Sequence, residues 1–389
     1  MKIPFGPHSQ NEGPDTQRDM LQRLDMSSVK FIVDADCRND PEKMELYNLA
    51  MARGCTVVGR RWHDVDPDLD AHNIVLEARR YFNGWGETQS FTQLAQIFPF
   101  QVWEGPNEIA ISDPVTMQKY AEFCNEFAYL IKTVTNRRAG IGGWAVGGPD
   151  LALWSSWLMA LEATKAYDAV LTRHSYGPVL GDEGTWFALR HRRDQAAFSV
   201  LGYPNVPLLI TECGTDTLNN ASVFNKPWRL IWGWDDNAIE GYYTEWMKPF
   251  IEEISKDHYV LGAHLFTVGN GGGPWNNHDV AHTDIAGAML RNPPVLSAPA
   301  PIAVTPPPSY VNPAPIGATH QVTATALNVR LFPWSQDVEP RIVKRIPQGA
   351  FVSVSEIVKG PGQTVGWFHI GPDQWVNGSY LKEVVKIVG

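Results

Sequence analysis

The stretch Val-Pro-Leu-Leu-Ile-Thr-Glu-Cys at residues 206–213 indicates how this chain folds. Its apolar run is too continuous for a strand with one solvent-exposed face and is typical of a parallel strand covered on both faces. The run closes on a charged residue, Glu212. Residues 29–33, Val-Lys-Phe-Ile-Val, form a similar run. Both predict strands of a largely parallel α/β sheet.

Working outward from these runs, strand candidates alternate with helix-patterned segments along the first 290 or so residues. The strands are predicted at 3–8, 29–37, 55–62, 100–108, 140–147, 169–176, 206–213 and 260–268, and the helices at 16–24, 41–53, 71–82, 114–133, 151–165, 184–201 and 242–255. This pattern predicts a (β/α)₈ barrel, a fold of about 250 residues plus insertions. A doubly wound open sheet is the alternative, but no G-x-G-x-x-G follows the first strand.

The composition excludes several classes of protein. The chain of 389 residues is 44% hydrophobic and 19% charged, as in globular proteins rather than disordered ones. No apolar run of about 18 residues is present, so we expect no membrane span. The net charge of −10, without a long basic stretch, disfavours nucleic acid as a partner. The four cysteines are too sparse for a disulfide scaffold or a zinc cluster, and we expect them to pack in the core: Cys37, Cys55, Cys124 and Cys213.

The composition changes abruptly near residue 292. No Asp, Glu, Lys or Arg occurs from Asn292 to Val329, and nine prolines fall between Pro293 and Pro315. Proline-rich chain of this kind forms semi-rigid extended spacers. We therefore expect a barrel domain at 1–292, a linker at 293–317 and a separate domain at 318–389.

The predicted last domain consists of short alternating strands broken by glycine and proline, which predicts a small all-β barrel. It resembles a bacterial SH3-like domain through LNVR at 327–330, IPQGAFVSV at 346–354, GW at 366–367 and WVNGSYL at 375–381. The resemblance implies attachment to cell-wall peptides or glycans, or to partner proteins. We therefore expect an extracellular or envelope-associated protein. Because residues 1–8 enter the first predicted strand without the apolar core of a signal peptide, export would need a removed leader or another route.

Two glutamates end predicted strands. Asn107 and Glu108 close the fourth strand in FQVWEGPNEIA, residues 100–110, and Glu212 closes the seventh. Active sites of (β/α)₈ barrels lie at the carboxyl ends of the strands. Strands four and seven lie across the mouth from each other, so the two carboxylates can face one substrate. Glycoside cleavage needs such a pair. Alternatively, each could be a strand-end residue that caps a helix or pairs with an arginine.

At these positions the chain resembles the clan A glycoside hydrolases, a retaining superfamily built on this barrel. WEGPNE at 103–108 and ITECG at 210–214 match its two glutamate motifs. The resemblance implies that Glu108 is the acid/base, with a raised pKa, and that Glu212 is the nucleophile. It also implies that Asn107 binds the sugar 2-hydroxyl. No cofactor is implied.

Other polar residues near the predicted mouth are candidates for supporting roles. Glu104 is a rival acid, but it lies deeper, and we expect it to pair with Arg60 or Arg61, either of which could instead orient Glu212. Alternation places His174 and Tyr176 on one face of strand six, where a phenol donating to Glu212 would keep it ionised.

Tryptophans in the predicted loops are candidate sugar platforms, above all Trp62 and Trp275, with Trp85, Trp228, Trp232 and Trp234 as others. Trp103 is out of phase with Glu108, so we expect it to pack under helices. One loop superficially resembles a metal site but fits no zinc signature, and we expect no metal there: His278, Asp279, His282 and Asp284.

Taken together, the sequence predicts a retaining β-glycoside hydrolase acting on an oligo- or polysaccharide. A non-catalytic glycan-binding pseudoenzyme or adhesin is the first alternative. A peptidoglycan-directed lytic enzyme, suggested by the C-terminal domain, is the second.

Overall fold

The structure is a computed structural model that describes most of the first 297 residues and separate strands beyond them. The described residues are 2–10, 13–62, 66–84, 89–179, 184, 186–216, 226–235, 237–269, 275–297, 320–322, 326–330, 342–347, 351–352, 356–358, 367–371, 374–377 and 381–383. The chain divides into two compact units, Met1–Pro301 and Ile302–Gly389. Most of the predicted linker, 298–317, lies outside the described residues.

The first unit is a closed barrel of eight strands in sequence order, with every neighbouring pair parallel. The strands are β1 (Gly6–Ser9), β2 (Ser28–Val33), β3 (Thr56–Arg61), β4 (Val102–Glu104), β5 (Arg138–Trp144), β6 (Val170–Tyr176), β7 (Leu208–Gly214) and β8 (Val260–Val268). The predicted eight-stranded α/β barrel is confirmed.

Helices follow the strands around the outside. They are α1 (Pro14–Arg23), α2 (Pro41–Ala52), α3 (Ile74–Asn83), α4 (Phe91–Ile97), α5 (Pro114–Leu130), α6 (Leu158–Ala166), α7 (Arg190–Val200), α8 (Arg229–Trp232), α9 (Ala238–Tyr242), α10 (Lys248–Ile254) and α11 (Ile285–Arg291), with 3₁₀ turns at Ala35–Asn39, Leu151–Ser156 and Asn276–His278 and π turns at Ile131–Thr135 and Tyr243–Met247. The Asp113 side chain caps α5 by accepting from two backbone N–H groups, as the Asp-Pro pair predicts.

Four short helices were not predicted, namely α4, α8, α9 and α11. The sequence does contain a signal for the start of α4, because Ser90 and Gln93 form a reciprocal capping box there. The start of α11 is marked by Asp284, whose side chain accepts from the Gly287 N–H. Both α4 and α11 are only seven residues long, too short to show a clear apolar period.

The barrel separates two kinds of core. Outward-facing strand residues such as Phe31 and Trp103 belong to one large cluster with the helices. Inside, a small apolar cluster near the start of the strands consists of Val58, Val102, Val170 and Leu209. Polar residues occupy the interior two or three positions further along the same strands. The barrel therefore has an apolar floor and a charged layer towards its mouth.

The described strands of the second unit pair only antiparallel. They are β9 (His320–Val322), β10 (Ala326–Arg330), β11 (Ile342–Pro347), β12 (Phe351–Val352), β13 (Glu356–Val358), β14 (Trp367–Gly371), β15 (Gln374–Asn377) and β16 (Leu381–Glu383). They form a sheet in the order β11-β10-β15-β14-β13 and another in the order β12-β9-β16. The SH3-like assignment stays a prediction. Across the described parts of both units, no helix has the length and apolar character needed to cross a bilayer.

A substitution at Trp103 tests the packing between the barrel and the helices. Trp103 is fully buried on β4, where its ring contacts Phe91 and Phe100, which confirms that it packs under the helices. We expect Trp103→Ala to lower the free energy of unfolding by about 3–5 kcal/mol, because the ring leaves a cavity that the barrel cannot fill. Urea unfolding followed by circular dichroism measures the change. Val115→Ala, at an exposed position of α5, is the control and should leave the midpoint nearly unchanged. Equal midpoints for both variants would contradict this packing.

Candidate active site

Glu212 faces the barrel interior because β7 carries a bulge. Between Ile210 and Glu212 this strand advances two residues while β6 advances one, from Arg173 to His174. The pairing with β8 shows the same extra residue between Ile210 and Cys213. Simple alternation from Leu209, which faces inward, would turn Glu212 outward. The bulge instead directs the Glu212 carboxylate inward, a common use of bulges beside functional sites.

Glu108 lies in a turn beyond the end of β4. Strand pairing stops at Glu104, because Pro106 has no N–H for the ladder, so the predicted strand to residue 108 is too long. Glu108 itself has φ +53°, a left-handed conformation that is costly for a non-glycine residue. Its N–H donates to the Gly143 carbonyl at 2.7 Å. A side chain at Gly143 would collide with the Pro106 carbonyl, so β5 admits this turn only with glycine there.

His174 brings the two glutamates together. Its Nδ1 lies 2.7 Å from Glu108 Oε1 and 3.5 Å from Glu212 Oε2. The imidazole is fully buried, whereas the Glu108 side chain is 45% exposed at the mouth. One buried ring nitrogen thus joins a carboxylate open to solvent with a carboxylate inside the barrel.

Three further groups hold Glu212, which is only 8% exposed. The Tyr176 hydroxyl donates to its Oε2 at 2.9 Å, as the sequence predicts. On the other side, Glu212 Oε1 lies 3.6 Å from the Arg60 guanidinium and 3.5 Å from the Lys30 ammonium. Arg60 is therefore the arginine that orients Glu212.

These contacts decide the charge of Glu212. Burial raises the pKa of its carboxyl group, but the electrostatic effects of the neighbouring His174, Lys30 and Arg60 together outweigh it. The resulting pKa is below the usual range of glutamate, so Glu212 is ionised at neutral pH.

The pKa of Glu108 is also lowered, which corrects the expectation that it is raised. The hydrogen bond with His174 is the main cause, and it outweighs the opposing effect of partial burial. The sequence places His174 near the mouth but does not reveal which glutamate it contacts more closely. Glu108 is therefore a carboxylate, with His174 as its donor.

Glu104 has a partner that was not predicted. Both Glu104 and Lys30 are fully buried, and the Lys30 ammonium lies 2.7 Å from Glu104 Oε2. The expectation of an arginine partner was wrong for Arg61, which lies outside the barrel over the rings of Tyr81 and Phe91 and donates to the Tyr81 carbonyl. The signal for Lys30 was its place in the apolar run at 29–33, where every second residue faces the interior.

Asn107 is half-buried between Pro106 and Glu108. Its Oδ1 is shielded from solvent and accepts no hydrogen bond from the described part of the protein. Buried carbonyl oxygens are nearly always hydrogen-bonded, so this atom suits a donor supplied by a ligand at the mouth.

Two of the predicted sugar platforms present an exposed indole. Trp275 is 49% exposed and packs edge-on against Phe266, which in turn contacts the Tyr176 ring. Trp62 is 39% exposed and directly follows β3, two residues after Arg60. Both therefore lie beside strands whose ends form the site.

The remaining candidate tryptophans differ in their exposure to solvent. Trp228 is buried and stacks on Tyr242, so it is a core residue. Trp232 is half-buried, Trp234 is exposed, and Trp85 lies outside the described residues.

The loop that superficially resembles a metal site uses its acidic side chains structurally. Asp279 accepts from the N–H groups of Gly269 and Ala281, and Asp284 caps α11. His278 lies 3.5 Å from Asp216. In the described residues no three His, Cys, Asp or Glu side chains are grouped so that they could hold a metal ion.

A groove of about 400 Å³ is lined in part by Ile109 and Ala110, which follow Glu108 in the chain. Its walls are formed by the segment before α3, the residues after Glu108 and the first turn of α5. They are Asp66, Pro67, Asp68, Leu69, Asp70, Ile109, Ala110 and Thr116. It offers carboxylates and small apolar surfaces on one side of the mouth.

Comparison with known proteins finds only distant similarity. No protein-family model matches the sequence, and no curated protein matches it. Similar solved structures include a glucosidase from Croceicoccus marinus, at 14% identity and TM-score 0.44, covering 74% of this chain and 66% of that one. An endo-β-1,4-mannanase from Thermotoga petrophila has 11% identity and TM-score 0.39, covering 75% and 76%. An endo-β-1,4-glucanase from Xanthomonas axonopodis pv. citri has 12% identity and TM-score 0.40, covering 72% and 92%.

The contact between His174 and Glu108 can be tested without a substrate. We expect His174→Phe to raise the pKa of Glu108, because the main group that lowers it is removed while the ring volume is kept. Carboxyl ¹³C NMR titration of protein labelled at glutamate measures the pKa, and Glu108→Gln assigns the signal. A Glu108 titration that is unchanged in His174→Phe would contradict the contact.

Proposed function

We propose that this chain is a retaining glycoside hydrolase that cleaves a β-linked glycan by double displacement. One observation carries the proposal: two carboxylates of different environment share His174 Nδ1 at the barrel mouth. Glu212 is buried, ionised and held by three further groups, as a nucleophile must be. Glu108 is half-open to solvent, as an acid/base must be to reach both a leaving group and water.

The distance between the carboxylates supports retention. Glu108 Oε1 and Glu212 Oε2 both contact His174 Nδ1, so these two oxygens are at most about 6.2 Å apart, which is compatible with the roughly 5–5.5 Å between the carboxyl groups of retaining enzymes. An inverting enzyme separates its carboxyl groups by roughly 6.5–9.5 Å to leave room for a water molecule between the base and the sugar.

The reaction has two steps. In the first, a Glu212 oxygen forms a bond to the anomeric carbon as the bond to the leaving oxygen breaks, and Glu108 transfers its proton to that oxygen. In the second, Glu108 takes a proton from water as the water oxygen replaces Glu212 at the anomeric carbon. Asn107 Oδ1 would accept a hydrogen bond from the sugar 2-hydroxyl, and Trp275 and Trp62 would pack against sugar rings.

The lowered pKa of Glu108 is compatible with its acid role. The hydrogen bond with His174 lowers the pKa in the free site, where Glu108 is open to solvent. A sugar over the mouth would exclude water from Glu108, and desolvation raises the pKa of a carboxyl group. Substrate binding would therefore favour the protonated form of Glu108, which the leaving oxygen needs.

The proposal is tested with Glu108→Gln and Glu212→Gln on a panel of aryl β-glycosides and polysaccharides. We expect Glu108→Gln to lose about 10²–10⁴-fold in turnover, typical of general acid–base catalysis, and Glu212→Gln to be nearly inactive. On activated aryl glycosides, azide should rescue Glu108→Gln and give a β-azide, because the glycosyl-enzyme still forms. NMR of the first wild-type product should show the β-anomer.

Glu126→Gln is the matched control, since Glu126 is a fully buried glutamate on α5, outside the barrel. Full activity in Glu108→Gln or Glu212→Gln would remove that residue from its role, and an α-anomeric first product would establish inversion instead. Wild-type binding of glycans without turnover would favour a pseudoenzyme or adhesin. Activity on peptidoglycan alone would favour a lytic enzyme.

We further propose that residues 318–389 form an SH3-like module that attaches the enzyme to the cell envelope. The support is the motif resemblance together with the antiparallel pairing of every described strand in this unit. An extracellular or envelope location goes with this proposal.

Co-sedimentation of the full-length Glu212→Gln variant with purified cell-wall sacculi tests attachment. Because this variant does not cut glycans, retention would report binding rather than digestion. We expect sedimentation with sacculi and none with insoluble α-glucan granules, which a site for β-linked glycans does not bind. Failure to sediment with sacculi would contradict a wall-binding role.

A further inference from the structure

The charged layer inside the barrel contains more carboxylates than cations. Lys30 and Arg60 face Glu104, Glu108 and Glu212. His8 on β1 and His264 on β8 complete the layer, and burial lowers the pKa of both, that of His264 to about 3, so neither adds a positive charge near neutral pH. On β6, His174 and Tyr176 face Glu212, and β5 places Gly140 and Gly142 here, which do not titrate.

Lys30 is the deeper of the two cations and touches two carboxylates. Its ammonium lies 2.7 Å from Glu104 Oε2 and 3.5 Å from Glu212 Oε1, and its side chain is fully buried, as is that of Glu104. Arg60 is 3.6 Å from Glu212 and lies closer to solvent. Buried charges interact strongly because little water screens them. Lys30 is therefore divided between a carboxylate that does no chemistry and the proposed nucleophile.

We propose that Lys30 is a positioning residue for Glu212 and that Glu104, by holding Lys30 closer to itself, limits how strongly the ammonium acts on that carboxylate. This inference rests on the proposed function, in which Glu212 reacts as an anion. An ammonium bound tightly to Glu212 would keep it ionised but would also withdraw the electron density that attacks the sugar. A shared ammonium stabilises the anion less and leaves it more nucleophilic.

Two variants with opposite expected effects on the pKa of Glu212 test whether Lys30 is shared between Glu104 and Glu212. Glu104→Gln removes the competing carboxylate, so Lys30 should act more strongly on Glu212 and lower its pKa. The acid limb of the kcat/KM profile, which reports the ionisation of the nucleophile in the free enzyme, should then move to lower pH. Turnover at the optimum should fall, because the anion is a weaker nucleophile.

The double variant Lys30→Met/Glu104→Gln removes the ammonium without leaving Glu104 unpaired. Lys30→Met alone would leave the fully buried Glu104 carboxylate without its cation, which is strongly destabilising, whereas in Glu104→Gln the Lys30 ammonium still has Glu212 as a partner. We expect the acid limb of the double variant to move up by about one pH unit, which is about a tenfold loss of kcat/KM on the acid side. Thermal unfolding of both variants verifies that the barrel is intact.

Glu126→Gln is again the control, because it makes the same substitution at a fully buried glutamate, one that pairs with Arg79 on the outer helices. It should leave the acid limb in place. Acid limbs that move in the same direction in Glu104→Gln and the double variant, or that do not move, would overturn the inference.

A second measurement separates this inference from the proposed function. Carboxyl ¹³C NMR titration of Glu212 in the same variants needs no substrate and should show the same opposite pKa changes. Wild-type protein without any glycosidase activity would remove the proposed function while these titrations still test Lys30. An active wild type whose Glu212 pKa is the same in all variants would remove only the role of Lys30.

Discussion

Inside the closed barrel, two cations are shared among three carboxylates, and the arrangement at the mouth follows from that shortage. Burial of charges without partners is strongly unfavourable, so each carboxylate needs a cation or a hydrogen-bond donor. Lys30 and Arg60 supply the cations. Glu108 obtains its donor from His174 instead.

The site depends on irregularities in the strands as much as on the charges inside the barrel. Regular alternation in all eight strands would leave Glu212 facing the helices and would carry Glu108 along β4. The bulge in β7 turns Glu212 inward, and the Gly105-Pro106 pair ends β4 early. Gly143 then admits the left-handed turn that carries Glu108 over the mouth. Each irregularity is a local departure from ideal geometry that the surrounding barrel is rigid enough to maintain.

The sequence was sufficient to predict the barrel, because apolar strands and capped helices are local patterns repeated along the chain. It was also sufficient to predict that Glu108, Glu212, His174 and Tyr176 would lie together, since strand ends of a barrel meet at one mouth. It did not predict Lys30, because a lysine in an apolar run is ordinarily read as exposed and only closure of the barrel buries it. The direction of the Glu108 pKa was also wrong, because it depends on a 2.7 Å contact that no spacing encodes.

It also matters that the buried cation at position 30 is a lysine and not an arginine. Arginine presents a planar fork that suits one carboxylate bidentately, whereas lysine is a compact point charge whose three donors can be divided between partners. At position 30 the ammonium contacts carboxylates on β4 and β7, on different sides of the barrel interior. A guanidinium there would favour one of them and leave the other short of positive charge. Arg60, nearer the mouth, contacts Glu212 from the more open side. The deep, divided position is thus suited to lysine, and the more open position accommodates arginine.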